Sequence, residues 1–239
     1  MATLFISDLH LEDARPGMTA TLLALLAGEA RGADALYILG DLFEFWIGDD
    51  VLTDTAREVA DALRALSDAG VPCHFMHGNR DFLVGEDWAA RAGVTLLPEE
   101  AVVDLHGERT LLLHGDTLCT DDIEYQAFRA QVRDPAWQAA FLARSPQERL
   151  AVAQQARDAS KAHTATAAME IMDVNPGAVT DAFRRHGVRR MIHGHTHRPD
   201  VHHVEVDGVP RERIVLADWY ENGSVLRVSA DGIEREALA

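Results

Sequence analysis

Five short clusters of Asp, Asn and His each follow directly on an apolar run of this chain. Asp8-Leu9-His10 follows Thr3–Ile6, Gly40-Asp41 follows Ala35–Leu39, and Gly78-Asn79-Arg80-Asp81 follows Cys73–Met76. His114-Gly115-Asp116 follows Thr110–Leu113, and His193-Gly194-His195-Thr196-His197 follows Met191–Ile192. Any one cluster alone reads as an ordinary polar turn. As a set they supply about eight metal-ligand contacts if Asp41 bridges two ions. Mixed nitrogen and oxygen donors suit Mn²⁺, Fe²⁺ or Zn²⁺, and the absence of cysteine ligands from these clusters argues against a structural zinc site. Two ions about 4 Å apart clamp a phosphoryl group and generate hydroxide near neutral pH. Arg80 adds a planar fork of donors suited to phosphate, and Asp81 is placed to orient a neighbour. The expected chemistry is hydrolysis of a phosphoester or phosphoanhydride.

Elements that deliver such side chains to one place must end side by side. Loops at the carboxyl ends of strands do this in α/β folds. The pattern predicts strands at Thr3–Ile6, Ala35–Leu39, Cys73–Met76, Val102–Leu105, Thr110–Leu113, Met191–His193, His202–Val206, Ile214–Ala217 and Val225–Val228. Helices are expected at Met18–Arg31, Asp54–Ala69, Glu86–Arg91 and Ala178–His186. The last four strands have no helix between them, so an antiparallel finish and a mixed sheet system are expected. From Asp122 to about Met172 no strand pattern appears, while helix-start signals recur. Asp134-Pro135 and Asn175-Pro176 each place a cap before proline, and Ser145-Pro146-Gln147-Glu148 is a capping box. A single domain over 1–239, with a helical lid inserted at 122–172, is expected.

The bulk numbers exclude several classes. With 239 residues, 47% of them hydrophobic, the chain affords a sizeable core. A formal charge of −17 disfavours a nucleic-acid partner and a broad basic patch for anionic lipid. Cys73 and Cys119 make no disulfide framework and read as reduced thiols. No signal peptide and no stretch of roughly 20 apolar residues is visible, so any membrane contact is expected to be peripheral.

Asp8-x-His10, Gly40-Asp41, Gly78-Asn79, His114 and Gly194-His195-x-His197, in that order, resemble the calcineurin-like metallophosphoesterase superfamily. The resemblance implies a four-layer αββα sandwich with two sheets between helices. It also implies one metal held by Asp8, His10, Asp41 and His197, and a second held by Asp41, Asn79, His114 and His195. Where that superfamily usually carries Gly-Asn-His, this chain has Gly78-Asn79-Arg80. The segments Ile6–Leu11, Gly40–Glu44, Trp46–Asp50, His114–Asp122, Ile171–Asn175 and His193–Pro199 are similar to the UDP-2,3-diacylglucosamine diphosphatase family. Membership would imply a bacterial enzyme of lipid A biosynthesis, peripheral on the cytoplasmic face of the inner membrane. With two Mn²⁺, it would cleave the pyrophosphate of its lipid-linked UDP-sugar to UMP and 2,3-diacylglucosamine 1-phosphate by attack at the α-phosphorus. Asp41, Arg80 and His195 are then the candidate catalytic residues.

The same resemblance places substrate contacts at Asn79, Arg80, Asp122, Ser160, Thr164, Ala167 and His195. Family members often carry asparagine at the position of Thr164 and lysine at that of Ala167, and Arg157 and Lys161 lie close enough in sequence to compensate. Independently, a diacyl lipid needs an apolar groove. The insertion supplies Phe128, Val132, Trp137, Phe141 and Leu142, with Trp137 and Phe141 four apart on one helix face. Those two residues read equally as acyl contacts or as plain packing. A hydrolase of soluble nucleotides or cyclic diesters, or a scaffold with a relic metal site, are the rival readings. No obligatory protein partner is evident.

Overall fold

The computed structural model describes residues 1–166 and 173–238, with residues 161–166 described by their backbone alone. Two sheets stack face to face. The first has the order β11-β10-β1-β2-β3-β4. Its strands are β1 (Thr3–Ile6), β2 (Ala35–Leu39), β3 (Cys73–Met76), β4 (Val94–Leu97), β10 (Gly223–Ser229) and β11 (Gly232–Leu238). The second, of order β5-β6-β7-β9-β8, holds β5 (Glu100–Leu105), β6 (Glu108–Leu113), β7 (Arg190–His193), β8 (Val201–Val206) and β9 (Val209–Val215). Strands β1 to β4 run parallel, while β10 and β11 are antiparallel.

The period of two along each strand explains the stacking. Leu4 and Ile6 of β1, Leu36 and Ile38 of β2, and Cys73 and Phe75 of β3 pack outward into one core. That core is shared with helices α1 (Pro16–Ala27), α2 (Asp54–Asp68) and α3 (Glu86–Ala92). Phe5, Leu39 and Met76 point the other way, into the core with Leu111, Leu113 and Ile214 of the second sheet. Val179, Ala182 and Phe183 of α7 (Pro176–His186) belong to that second core. The layers therefore read helix, sheet, sheet, helix.

Helix starts follow their caps. Thr53 accepts from Ala56 N at 3.1 Å, and α2 then buries Ala56, Val59, Ala60, Leu63 and Leu66 at helical spacing. Between β6 and α7 lie α4 (Ile123–Val132), α5 (Pro135–Leu142) and α6 (Pro146–Thr166). Asp134 caps α5 from before Pro135, and Ser145 with Glu148 closes a capping box on α6.

Four expectations change. The helix expected over Met18–Arg31 ends at Ala27, and a 3₁₀ turn over Glu29–Gly32 follows Gly28, a poor helix former. The strand expected at Ile214–Ala217 starts at Val209, because its hairpin pairing with β8 continues through polar residues that carry no apolar pattern. The finish is only partly antiparallel: β9 pairs parallel to β7, with Ile192 opposite Ile214, and β10 crosses to the first sheet. Two strands had no visible signal: β4 is an edge strand with Thr95 exposed and its leucines only partly covered, and β11 carries mostly exposed side chains around the charged run Glu234–Glu236.

Candidate metal centre

Asp8 and His10 leave β1, Asp41 leaves β2, Asn79 leaves β3, His114 leaves β6, and His195 and His197 leave β7. All seven meet where the strand ends of both sheets converge. Among the described residues, seven non-glycine residues have positive φ, and five of them are Asp8, His10, Asp41, His195 and His197. Left-handed backbone is unfavourable for such residues, and its concentration here is the signature of a functional constraint. The chain also packs too closely for side chains at two glycines. A Cβ on Gly78 would strike the Asp41 carboxylate, and one on Gly194 would strike that of Asp8.

Two groups of donors lie together and share Asp8, and Asp41 stands between His10 and His114. Ligand atoms of Asp8, His10 and His197 lie within 4.8 Å of one another, as do those of Asp8, Asp41 and His114. Asp41 Oδ2 is 3.8 Å from His10 Nε2, and its Oδ1 is 3.8 Å from His114 Nε2. Asn79 Oδ1 approaches His114 Nε2 to 3.0 Å and His195 Nδ1 to 2.9 Å. His114 Nδ1 faces Leu39 O at 2.8 Å and donates to it, which turns the Nε2 lone pair into the site.

Electrostatics suits cations. Asp8 is fully buried, which alone would raise its pKa. The His197 imidazole, its Nε2 3.4 Å from Oδ1, and the charges of His114 and His10 pull it well below the carboxylate range instead. Burial and the neighbouring His114 hold His195 down to about 4, so its imidazole is neutral and free to ligate. Asp8 Oδ1 and His10 Nε2 are buried without hydrogen-bond partners. Buried polar atoms are normally satisfied, and a divalent ion would satisfy both. The donor set therefore fits metal.

His193 is not part of this group. Its Nδ1 donates to Gly194 O at 2.8 Å and its Nε2 accepts from buried Arg213 at 3.0 Å. Asp81 lies fully buried beneath the Asp41 loop. Arg80 donates its backbone N–H to Asp41 Oδ1 at 2.8 Å and reaches Ser160 Oγ at 3.4 Å. Both residues border a cleft of about 340 Å³ that also touches Asn79 and Glu44. Its far wall is Phe82, Phe128, Trp137 and Phe141, with the Trp137 and Phe141 rings stacked at 5.1 Å. Phe141 is buried in the core, whereas Trp137 is only partly covered.

Asp122 is not brought to this cleft; it caps α4 by accepting from Tyr125 N at 3.0 Å. The side chain of Thr164, all of Ala167 and the side chain of Lys161 lie outside the described residues. Arg157 lines the cleft and pairs with Glu44. Sequence reasoning assigned no role to Glu44, although an acidic residue three positions after Asp41 was a usable signal. It also missed Tyr125, whose ring lies 5.8 Å from that of His195 and whose hydroxyl donates to Asp116 at 2.8 Å. Tyr220 stacks on His10 at 5.1 Å and arrives from beyond β9, so no local pattern announces it.

The family model of calcineurin-like phosphoesterases matches residues 1–199. A UDP-2,3-diacylglucosamine hydrolase of Xanthomonas oryzae pv. oryzae is 57% identical, with 100% of both chains covered. One of Stenotrophomonas maltophilia is 56% identical, covering 100% of this chain and 99% of its own. Among solved structures, an archaeal phosphodiesterase matches with TM-score 0.50 at 12% identity over the full length of both chains, a likeness of fold alone. The chain is a metal-dependent hydrolase that belongs to the calcineurin-like phosphoesterase family and, within it, to the group of UDP-2,3-diacylglucosamine hydrolases.

Proposed function

We propose that the chain hydrolyses the pyrophosphate of UDP-2,3-diacylglucosamine to UMP and 2,3-diacylglucosamine 1-phosphate, a step of lipid A biosynthesis. The observation that carries this reading is the junction of an apolar cleft with the metal centre. Arg80 and Asn79 line the cleft's polar end, while Phe82, Phe128 and Trp137 line its body. A diacylated sugar phosphate has this polarity. Burying one methylene contributes about 0.8 kcal/mol, so acyl chains can dominate binding in such a groove.

Asp8, His10, Asp41 and His197 would hold one ion, and Asp41, Asn79, His114 and His195 the other, with Mn²⁺ the metal that suits this donor set. Bound, the pair supplies a nucleophile at neutral pH and neutralises charge on the phosphoryl oxygens. The remaining work falls to the chain. Asp41 spaces the two halves. Arg80 presents a permanently charged fork to the transferring phosphoryl group, and Asn79 and His195 border the same oxygens. Ser160 holds the Arg80 guanidinium toward the cleft.

Residues 122–172 act as a lid within a single 1–239 domain, roofing the acyl chains with α4 to α6. The described part of that segment exposes Ile123, Phe128, Leu142 and Leu150. No helix among the described residues is long and apolar enough to cross a membrane. These exposed side chains support peripheral contact with the cytoplasmic face of the inner membrane by apolar insertion, which the −17 charge does not oppose as it opposes docking on anionic headgroups.

Product analysis tests the reading. The diacyl UDP-sugar, its deacylated analogue and plain nucleotides are incubated with the protein, with and without Mn²⁺, beside Asp41→Ala. Metal-dependent release of UMP from the diacyl compound, lost in the variant, is expected. Equal turnover of all three substrates would sink the substrate assignment, and full activity of a metal-free Asp41→Ala would sink the metal centre.

A further inference from the structure

Glu44 touches two parts of the molecule that the reaction must keep in register. It is 7% exposed, and its backbone is pinned beside the His10 loop by a bond from its N–H to Leu11 O at 3.1 Å. One carboxylate oxygen, Oε2, lies 3.1 Å from His10 Nδ1. The other, Oε1, lies 2.9 Å from Nε of Arg157 on α6. Arg157 also reaches Glu12 Oε2 at 3.4 Å. The opposite edge of the His10 ring carries Nε2, which faces Asp41 Oδ2 at 3.8 Å.

We propose that Glu44 is a positioning residue that aims His10 at its metal ion and fastens the lid helix α6 to the metal centre through Arg157. A carboxylate against Nδ1 selects the tautomer whose Nε2 lone pair is free, orients the ring and raises its basicity as a ligand. Tyr220, stacked on the same ring with planes 7° apart, limits its rotation about the other axis. The Arg157 contact offsets the buried carboxylate's charge, and it places α6, with Ser160 one turn further on, over the Arg80 end of the cleft. Glu44 thus joins the half of the site that binds metal to the half that binds lipid.

A plain structural ion pair would change stability alone, so the test reads metal. The inference rests on the two-metal reading above. Chelated protein is titrated with Mn²⁺ by calorimetry for wild type, Glu44→Ala, Glu44→Gln and Arg157→Met, with a melting curve for each. Wild type should take up two ions. Glu44→Ala should weaken one of them 10- to 100-fold and leave the other unchanged. Glu44→Gln, which keeps an oxygen acceptor for His10, should lose less, and it serves if the alanine variant does not fold. Arg157→Met should hold both ions at wild-type affinity and raise KM for the diacyl substrate above that for its deacylated analogue. Two ions at wild-type affinity on both Glu44 variants would overturn this inference alone. Fewer than two ions on the wild type would overturn the two-metal reading and this inference with it.

Discussion

Asp81 holds the loop of Asp41 from beneath. Its carboxylate accepts backbone N–H groups from Asp41 at 3.3 Å, Leu42 at 2.7 Å, Phe43 at 3.3 Å and Gly78 at 2.9 Å. Asp41 owes its left-handed backbone, and hence the aim of both its oxygens, to this support. The four bonds also join the loops after β2 and β3, which carry Asp41 and Asn79. Asp81 works on the site without facing the substrate.

Asp81→Asn should therefore damage metal binding without removing a ligand. Its amide would turn an NH₂ group toward the Leu42 and Phe43 donors, and each buried group left unsatisfied costs about 1–3 kcal/mol. Lower Tm and lower Mn²⁺ uptake are expected together. Burial, and then the charge of Asp41, raises the Asp81 pKa to about 6 in the metal-free chain. A raised carboxylate pKa means that stability present below pH ~4 is lost as pH rises toward 6. Melting curves of the chelated protein check this: the variant should lose that slope.

Arg80→Ala should keep both ions and lose turnover. The guanidinium has no lone pair for metal, and it reaches Ser160 Oγ at 3.4 Å. Loss of one donor aimed at developing charge typically lowers kcat about 10²- to 10³-fold. Arg80→Lys should recover part of this, because the charge returns without the planar fork. Metal analysis beside steady-state kinetics decides; an Arg80→Ala protein that loses its ions would refute the assignment.

Trp137 and Phe141 should part company on substitution. Phe141 is 4% exposed and belongs to the outer core, so Phe141→Ala should cost about 3–5 kcal/mol and harm the diacyl substrate and its deacylated analogue alike. Trp137 borders the cleft from a partly covered position, and Trp137→Gln should raise KM chiefly for the diacyl substrate. Kinetics on both substrates with a melting curve for each variant separates the two roles. Equal loss on both substrates in Trp137→Gln would remove the acyl contact.

His193 should make the chain sensitive to acid. Burial, and next the charge of Arg213, depresses its pKa to about 3. A depressed imidazole pKa means that stability is fully present above pH ~6.5 and is lost as pH falls from there toward 3. His193→Asn, in chelated protein, should show a shallower fall of Tm between pH 7 and 4.5 than the wild type. Parallel curves would mean that the imidazole is not held neutral in the fold.

The strand-end clusters were legible because two local rules write them into the chain. Apolar runs of four or five residues mark parallel strands buried on both faces, and polar residues directly after them must stand at the carboxyl edge. The helices α5, α6 and α7 were legible from their caps, since Asp134, Ser145 and Asn175 satisfy N–H groups within a few residues of themselves. Strand β11 was not, because its mostly exposed, charged residues gain their order from pairing with β10 and carry no apolar period.

The sequence by itself determined which residue types stand at the strand ends, and so the kind of chemistry, because ligand identity is a property of single side chains. Tertiary structure decided which neighbours each one meets. His195 and His197, two apart and alike in sequence, turn their rings to different partners: one meets Asn79, the other Asp8. It also decided that His193 serves Arg213 instead of metal, and that Glu44 meets His10 and Arg157 at once. These relations join residues 20 to more than 100 positions apart. They depend on how two sheets and a helical insertion pack, and no local pattern of hydrophobicity or spacing encodes a distance across that packing.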